Sequence, residues 1–170
     1  DFKIRHLLSK VPGKFKEFEG EFVFDENKPE ASTGKMTIQV ASIDTGDKKR
    51  DDHLRSADFF DAETYKTITF EAKSMKKSGN KLKLEGPMTI RDKTKNVTFV
   101  VEHLGTIEKD PFNMKRASFT ADAKINRNDF GITWNKPVDE GMSDKMKKMM
   151  AKNMLGDEVE ISLNVEAIAK

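Results

Sequence analysis

The stretch DDHLRSADFFDAETY, from Asp51 to Tyr65, gathers four aspartates, a glutamate and a histidine around the pair Phe59–Phe60. Carboxylates beside a histidine can do general acid–base work or hold a metal ion. A metal site needs ligands at workable spacing, and neither an H-E-x-x-H pair nor an EF-hand loop is present. The other histidines, His6 and His103, fall on different segments of the chain. A capped helix explains the stretch without catalysis. Ser56 is expected to N-cap the segment ADFFDAETY, with Asp58 near the positive helix end. Phe59 and Phe60 would then anchor this short helix onto one end of the fold. No G-x-S-x-G elbow, P-loop or G-x-G-x-x-G occurs either.

A second group of polar residues continues the inward parity of strand-like segments: His6, His103 and Arg127. Arg127 follows Ile125 and precedes Asp129, so a regular strand would carry a charged pair into the mouth of an apolar interior. Buried charge is costly unless it is paired. The pair must therefore bridge, turn outward at a bulge, or meet the polar head of a ligand. In the last case His6 or Arg127 would orient an amide, carboxylate or pyrophosphate, since a guanidinium suits anionic heads.

The elements that must position these residues show strong period-two alternation. DFKIRHL, FEGEFVFD, KMTIQVAS, TITFEAKS, KLKLEGPMTIRD, NVTFVVEH, RASFTADAKIN and EVEISLNVEAIA each carry an apolar and a charged face. Turn signals such as Glu26-Asn27-Lys28-Pro29 and Ser78-Gly79-Asn80 separate most of them. One-sided strands with short connections suit antiparallel pairing. The expectation is an all-β fold: an eight-stranded antiparallel lipocalin-like barrel in one domain spanning 1–170, with a two-sheet sandwich as alternative. The short helix follows the third strand, and a second, methionine-rich helix precedes the last.

A barrel of that size stands between a packed core and a one-ligand cavity. Ala117, Ala121, Ala123 and Gly86 on the inward parity leave room for a cavity. The residues expected to face it are Phe22, Phe24, Ile38, Phe70, Leu84, Phe99, Phe119, Ala121 and Ile125. His6 and Arg127 stand toward the mouth, and Trp134 is a further expected ligand contact. A buried tail would gain about 0.8 kcal/mol per methylene.

The chain of 170 residues holds 31 basic and 29 acidic side chains, which excludes the one-sided charge of a nucleic-acid binder. It has no cysteine, which removes thiol chemistry and disulfides. No apolar run approaches the ~20 residues that span a bilayer. The chain opens at Asp1 directly in a strand-like pattern, and no signal peptide is visible.

Several segments, in order along nearly the whole chain, carry a family resemblance: FKIRHL, GKFKEFEG, SIDTGDKKRDDHLRSADFFD, YKTITFEA, LEGPMTIRDKTKNVTF, INRNDFGI and GDEVEISLNVEA. The most specific are D-D-H-L-R-S-x-D-F-F and N-R-x-D-F-G. In these the chain resembles the YceI-like family, exported bacterial lipid-binding proteins of lipocalin-like shape. The resemblance implies a barrel enclosing a polyisoprenoid or other long-chain amphiphile, in a periplasmic or otherwise exported protein. With the catalytic motifs missing, the expected role is non-enzymatic carriage of a polyisoprenoid, fatty acid or fatty amide, with no cofactor.

The segment between Trp134 and Gly156 is rich in methionine, and GMSDKMKKMMAKNMLG reads as one helix capped by Ser143. Met146 and Met150 fall on its apolar stripe, suited to packing on the barrel or covering a cavity mouth. Its lysines leave transient membrane contact open, and a thioether copper site is the third reading. A homodimer also stays open. The alternatives to a lipid carrier are a lipid-modifying enzyme with His6 or His53 as base, and a structural or stress-related interaction barrel with a filled core.

Overall fold

The computed structural model describes residues 1–25, 28–72, 74–79, 81–134, 143 and 154–168. The fold is all-β, with antiparallel strands in one curled sheet and a single α-helix among the described residues. The strands are β1 (Phe2–His6), β2 (Ser9–Phe15), β3 (Phe18–Val23), β4 (Thr33–Gln39), β5 (Ile43–Asp44), β6 (Thr67–Ala72), β7 (Ser74–Ser78), β8 (Lys81–Ile90), β9 (Lys93–Ile107), β10 (Arg116–Asn126) and β11 (Leu155–Ile168). They pair in the order β3-β4-β6-β8-β9-β10-β11-β1-β2-β5, with β7 on β8.

Among the described residues the sheet has eleven strands, not the eight expected. Three additional strands account for the difference, each continuing or preceding an expected one. β2 runs through SKVPGKF, where Pro12 and Gly13 interrupt the alternation. β5 follows β4 after a 3-10 turn over Val40–Ser42. β7 carries the β6 direction onward along β8. The ladder persists across two of these breaks. Lys16 N–H donates to Ser42 O at 3.1 Å, and Gln39 N–H to Glu17 O at 2.9 Å. β2–β3 and β4–β5 therefore run side by side as two bent ribbons.

The helix α1 spans Lys48–Arg55 and corrects the expectation of a helix over 57–65. Asp47, not Ser56, is its N-cap, accepting from Arg50 N–H at 3.1 Å. Ser56 ends the helix instead, its hydroxyl donating to His53 O at 2.7 Å. Asp61 then takes a left-handed φ of 50°, which no helix over that segment accommodates.

The core lies on the concave side of the sheet. Phe99, Phe119 and Phe130 are fully buried there, with Phe70 and Met88 beside them. Phe18 is exposed at the sheet edge. His103 is also exposed. A register shift between Ser118 and Phe119 displaces the β9–β10 pairing, and its ring stacks on Phe119 at 5.0 Å. Gly86 leaves no room for a ligand. A Cβ there would stand 1.9 Å from Glu71 O, so the glycine permits β8 to approach the β6 backbone.

Candidate functional site

Two adjoining chambers occupy the concave side. The first, of about 330 Å³, lies under α1 and the turn after β10, walled by Phe59, Ile68, Ile90, Phe130 and Ile132. The second, of about 640 Å³, is lined by Phe22, Phe70, Leu84, Phe99, Phe119 and Ala121. It opens between β3 and the end of β11, which has no neighbour on that side beyond Ser162 among the described residues. Phe15, Met36, Ile38 and Leu163 wall both chambers. Each volume lies in the range of roughly 300–1,000 Å³ common to small-molecule sites.

The structure brings most of the expected positions together. His6, Ile125, Arg127 and Trp134 line the first chamber, and Ile38 lines both. Phe24 lines neither; it packs edge-on against Phe119 at 5.0 Å. Met146 and Met150 lie outside the described residues. Phe15, Phe130 and Ile132 were missed. Phe15 stands on the unrecognised β2. Phe130 and Ile132 flank a turn, where period-two alternation carries no signal.

Arg127 does not sit on a continuing strand. β10 ends at Asn126, whose side chain accepts from Asn128 N–H at 2.9 Å and starts a 3-10 turn over Arg127–Phe130. Gly131 closes it with a φ of 74°, which suits glycine. The turn points Arg127 inward at 4% exposure and leaves Asp129 exposed. Of the outcomes open to the pair, Asp129 turns outward, and Arg127 makes contacts across the fold. Arg127 Nε donates to Gly156 O at 2.9 Å, and Nη1 to Ile132 O at 2.7 Å and Trp134 O at 2.9 Å. Nη2 reaches Asp157 Oδ1 at 3.3 Å. Burial draws the guanidinium below its ordinary value, and Asp157 opposes that shift. Arg127 thus ties β11 to the segment that walls the first chamber.

The stretch from Asp51 to Tyr65 forms the cover of that chamber. Asp51, 7% exposed, accepts from Thr45 N–H at 2.9 Å and Thr45 Oγ1 at 2.6 Å. Arg55 donates to Ala41 O and Ile43 O, both at 2.8 Å, and fastens α1 to β5. His53 Nε2 lies 2.9 Å from Asp58 Oδ2, and its ring stands edge-on to Phe59 and Trp134. Among the described residues, no three histidine, aspartate or glutamate side chains gather as a metal site.

A YceI-like domain model matches residues 1–167. The chain belongs to the YceI-like family. Protein YceI of Escherichia coli O157:H7 is 43% identical over 133 residues, 78% of this chain and 69% of the relative. The Campylobacter jejuni YceI crystal structure superposes with a TM-score of 0.76 at 30% identity, covering 100% of this chain and 92% of that one. A polyisoprenoid-binding domain from Saccharophagus degradans superposes with a TM-score of 0.63 at 13% identity, covering 99% and 92%. At that identity the likeness shows a shared fold. In this YceI-like chain the specific motif D-D-H-L-R-S builds the chamber cover, and N-R-x-D-F-G builds the turn that seats Arg127.

Proposed function

We propose that this YceI-like protein binds and carries a long-chain amphiphile, a polyisoprenoid, fatty acid or fatty amide, without chemical conversion. The observation that carries the reading is the pair of adjoining, mostly apolar chambers walled in common by Phe15, Met36, Ile38 and Leu163. An extended apolar tail spanning both would bury surface along its whole length, at about 0.8 kcal/mol per methylene. Side chains of this type bind tails by area and discriminate weakly between neighbours of one carbon. In this reading the bent ribbons β2–β3 and β4–β5 act as single staves, as do β6 and β7 along β8, so the sheet works as an eight-stave lipocalin-like barrel. The fold likeness to a polyisoprenoid-binding domain supports the ligand class. The exported location implied by the sequence resemblance belongs to the same reading.

The test is mass spectrometry of the organic extract from natively purified protein, repeated after incubation with polyprenols and fatty amides. A stoichiometric long-chain species is expected. An empty extract in both cases would favour an interaction barrel whose chambers carry no lipid.

A further inference from the structure

The turn between β1 and β2 has only two residues, Leu7 and Leu8, since His6 pairs with Ser9. Two-residue hairpin loops favour a positive φ at the first position, and glycine, asparagine or aspartate supply it with least strain. Here Leu7 holds a φ of 53°. The left-handed region is unfavourable for a leucine, whose Cβ crowds the following carbonyl. Side-chain burial does not offset this: Leu7 is 46% and Leu8 104% exposed. A strained backbone bearing two solvated leucines breaks the local rules of hairpin chemistry twice. Such violations concentrate where function requires them.

The tip stands at the rim of the first chamber. His6, the residue before it, lines that chamber, as do Trp134 and Met154. Leu7 N–H donates to Met154 O at 2.9 Å, fixing the tip beside the opening. Among the described residues, two cations beside the tip already have partners. Arg5 Nη1 donates to Leu7 O at 3.2 Å, and Lys10 Nζ pairs with Glu160 at 2.7 Å. The tip itself presents two exposed apolar side chains, so it would meet a bilayer by apolar insertion.

We infer that Leu7 and Leu8 form a bilayer-inserting tip through which the first chamber exchanges its cargo with a membrane surface. The inference rests on the carrier reading. A long apolar tail crosses water at high cost, so a carrier gains by placing its mouth against the bilayer. Two leucines inserted to the interface give weak, reversible attachment, as a shuttle requires.

The experiment compares uptake of one fluorescent polyprenol by two routes, from a little ethanol and from phosphatidylcholine vesicles. The variant combines Leu7→Gly with Leu8→Ser. Glycine relieves the left-handed backbone, so its melting temperature should equal or exceed that of the parent. Uptake from ethanol should stay at the parental level, while extraction from vesicles should slow by about tenfold or more. Leu8→Phe should retain the parental vesicle rate. Unchanged extraction by the double variant overturns the inference, as does an equal loss by both routes, which would place the leucines in the cavity wall. A parent that takes up the probe by neither route overturns the carrier reading itself.

Discussion

Arg127 shows how a side chain placed by sequence can take a different role in the fold. Its inward position was legible from the parity of Ile125 and Arg127. Its partners were not, because Gly156, Ile132 and Trp134 contribute main-chain carbonyls that no residue type announces. Arg127→Leu should lower stability by about 3–5 kcal/mol, read from the urea midpoint, because the carbonyls lose their donor inside the fold. Lysine should restore only part, since one ammonium cannot reproduce the planar fork. Unchanged stability with weakened lipid binding would instead assign Arg127 to a ligand head. Asp110 offers a second test at this scale. It accepts from Phe112 N–H at 2.8 Å, Met114 N–H at 2.9 Å and the Arg116 guanidinium. The Arg116 hydrogen bond, then the Met114 N–H, hold its carboxyl below the ordinary value of 3.8. A carboxyl depressed on folding stabilises above its unfolded pKa, and that contribution is lost as pH falls through the folded value. Asp110→Asn should therefore melt earlier than the parent at neutral pH. The gap should close as the pH drops from about 4 downward. A gap independent of pH would remove the ion pair from the explanation.

At the scale of elements, the strands with clean alternation were legible and the irregular ones were not. TITFEA and RASFTADAKIN state their inward faces directly, and Phe70, Phe119 and Ala121 all meet the second chamber. β2 was hidden because Pro12 and Gly13 break the period that strand reading depends on, although the ladder tolerates both. The helix was misplaced because Asp47 and Ser56 are equally good caps by type. The choice between them falls to Asp51, whose buried carboxylate needs Thr45. Gly86 is the sharpest case of a residue whose type was read correctly and whose purpose was not. It is small because a backbone passes it, not because a ligand does. Gly86→Ala should cost more than about 3 kcal/mol in a denaturant titration, since the clash is with the main chain of β6 and not with a side chain able to move. A mild effect would mean that β6 and β8 can part locally without loss of the sheet.

At the scale of the molecule, the two chambers matter as one path only if a tail crosses the ring formed by Phe15, Met36, Ile38 and Leu163. Phe15 is held in that ring from two sides, its ring centroid 5.7 Å from that of Phe2 and 5.9 Å from that of Phe60. Ile38 sits on β4 opposite Phe18 and Ile68, with backbone on both flanks. A tryptophan at that position has no direction in which to grow except into the shared opening. In the parent, affinity for straight-chain alcohols should rise about fourfold with each added methylene for as long as new carbons find apolar wall. On the carrier reading the tail continues through the ring, so that rise should extend to long chains. Ile38→Trp should keep the same slope for short chains and level off earlier, where the tail reaches the blocked ring. Calorimetric titration across a chain-length series reads the position of the break. Identical breaks in parent and variant would mean that tails occupy a single chamber. Loss of affinity at every length would mean that the ring is the entrance itself and not a passage between chambers.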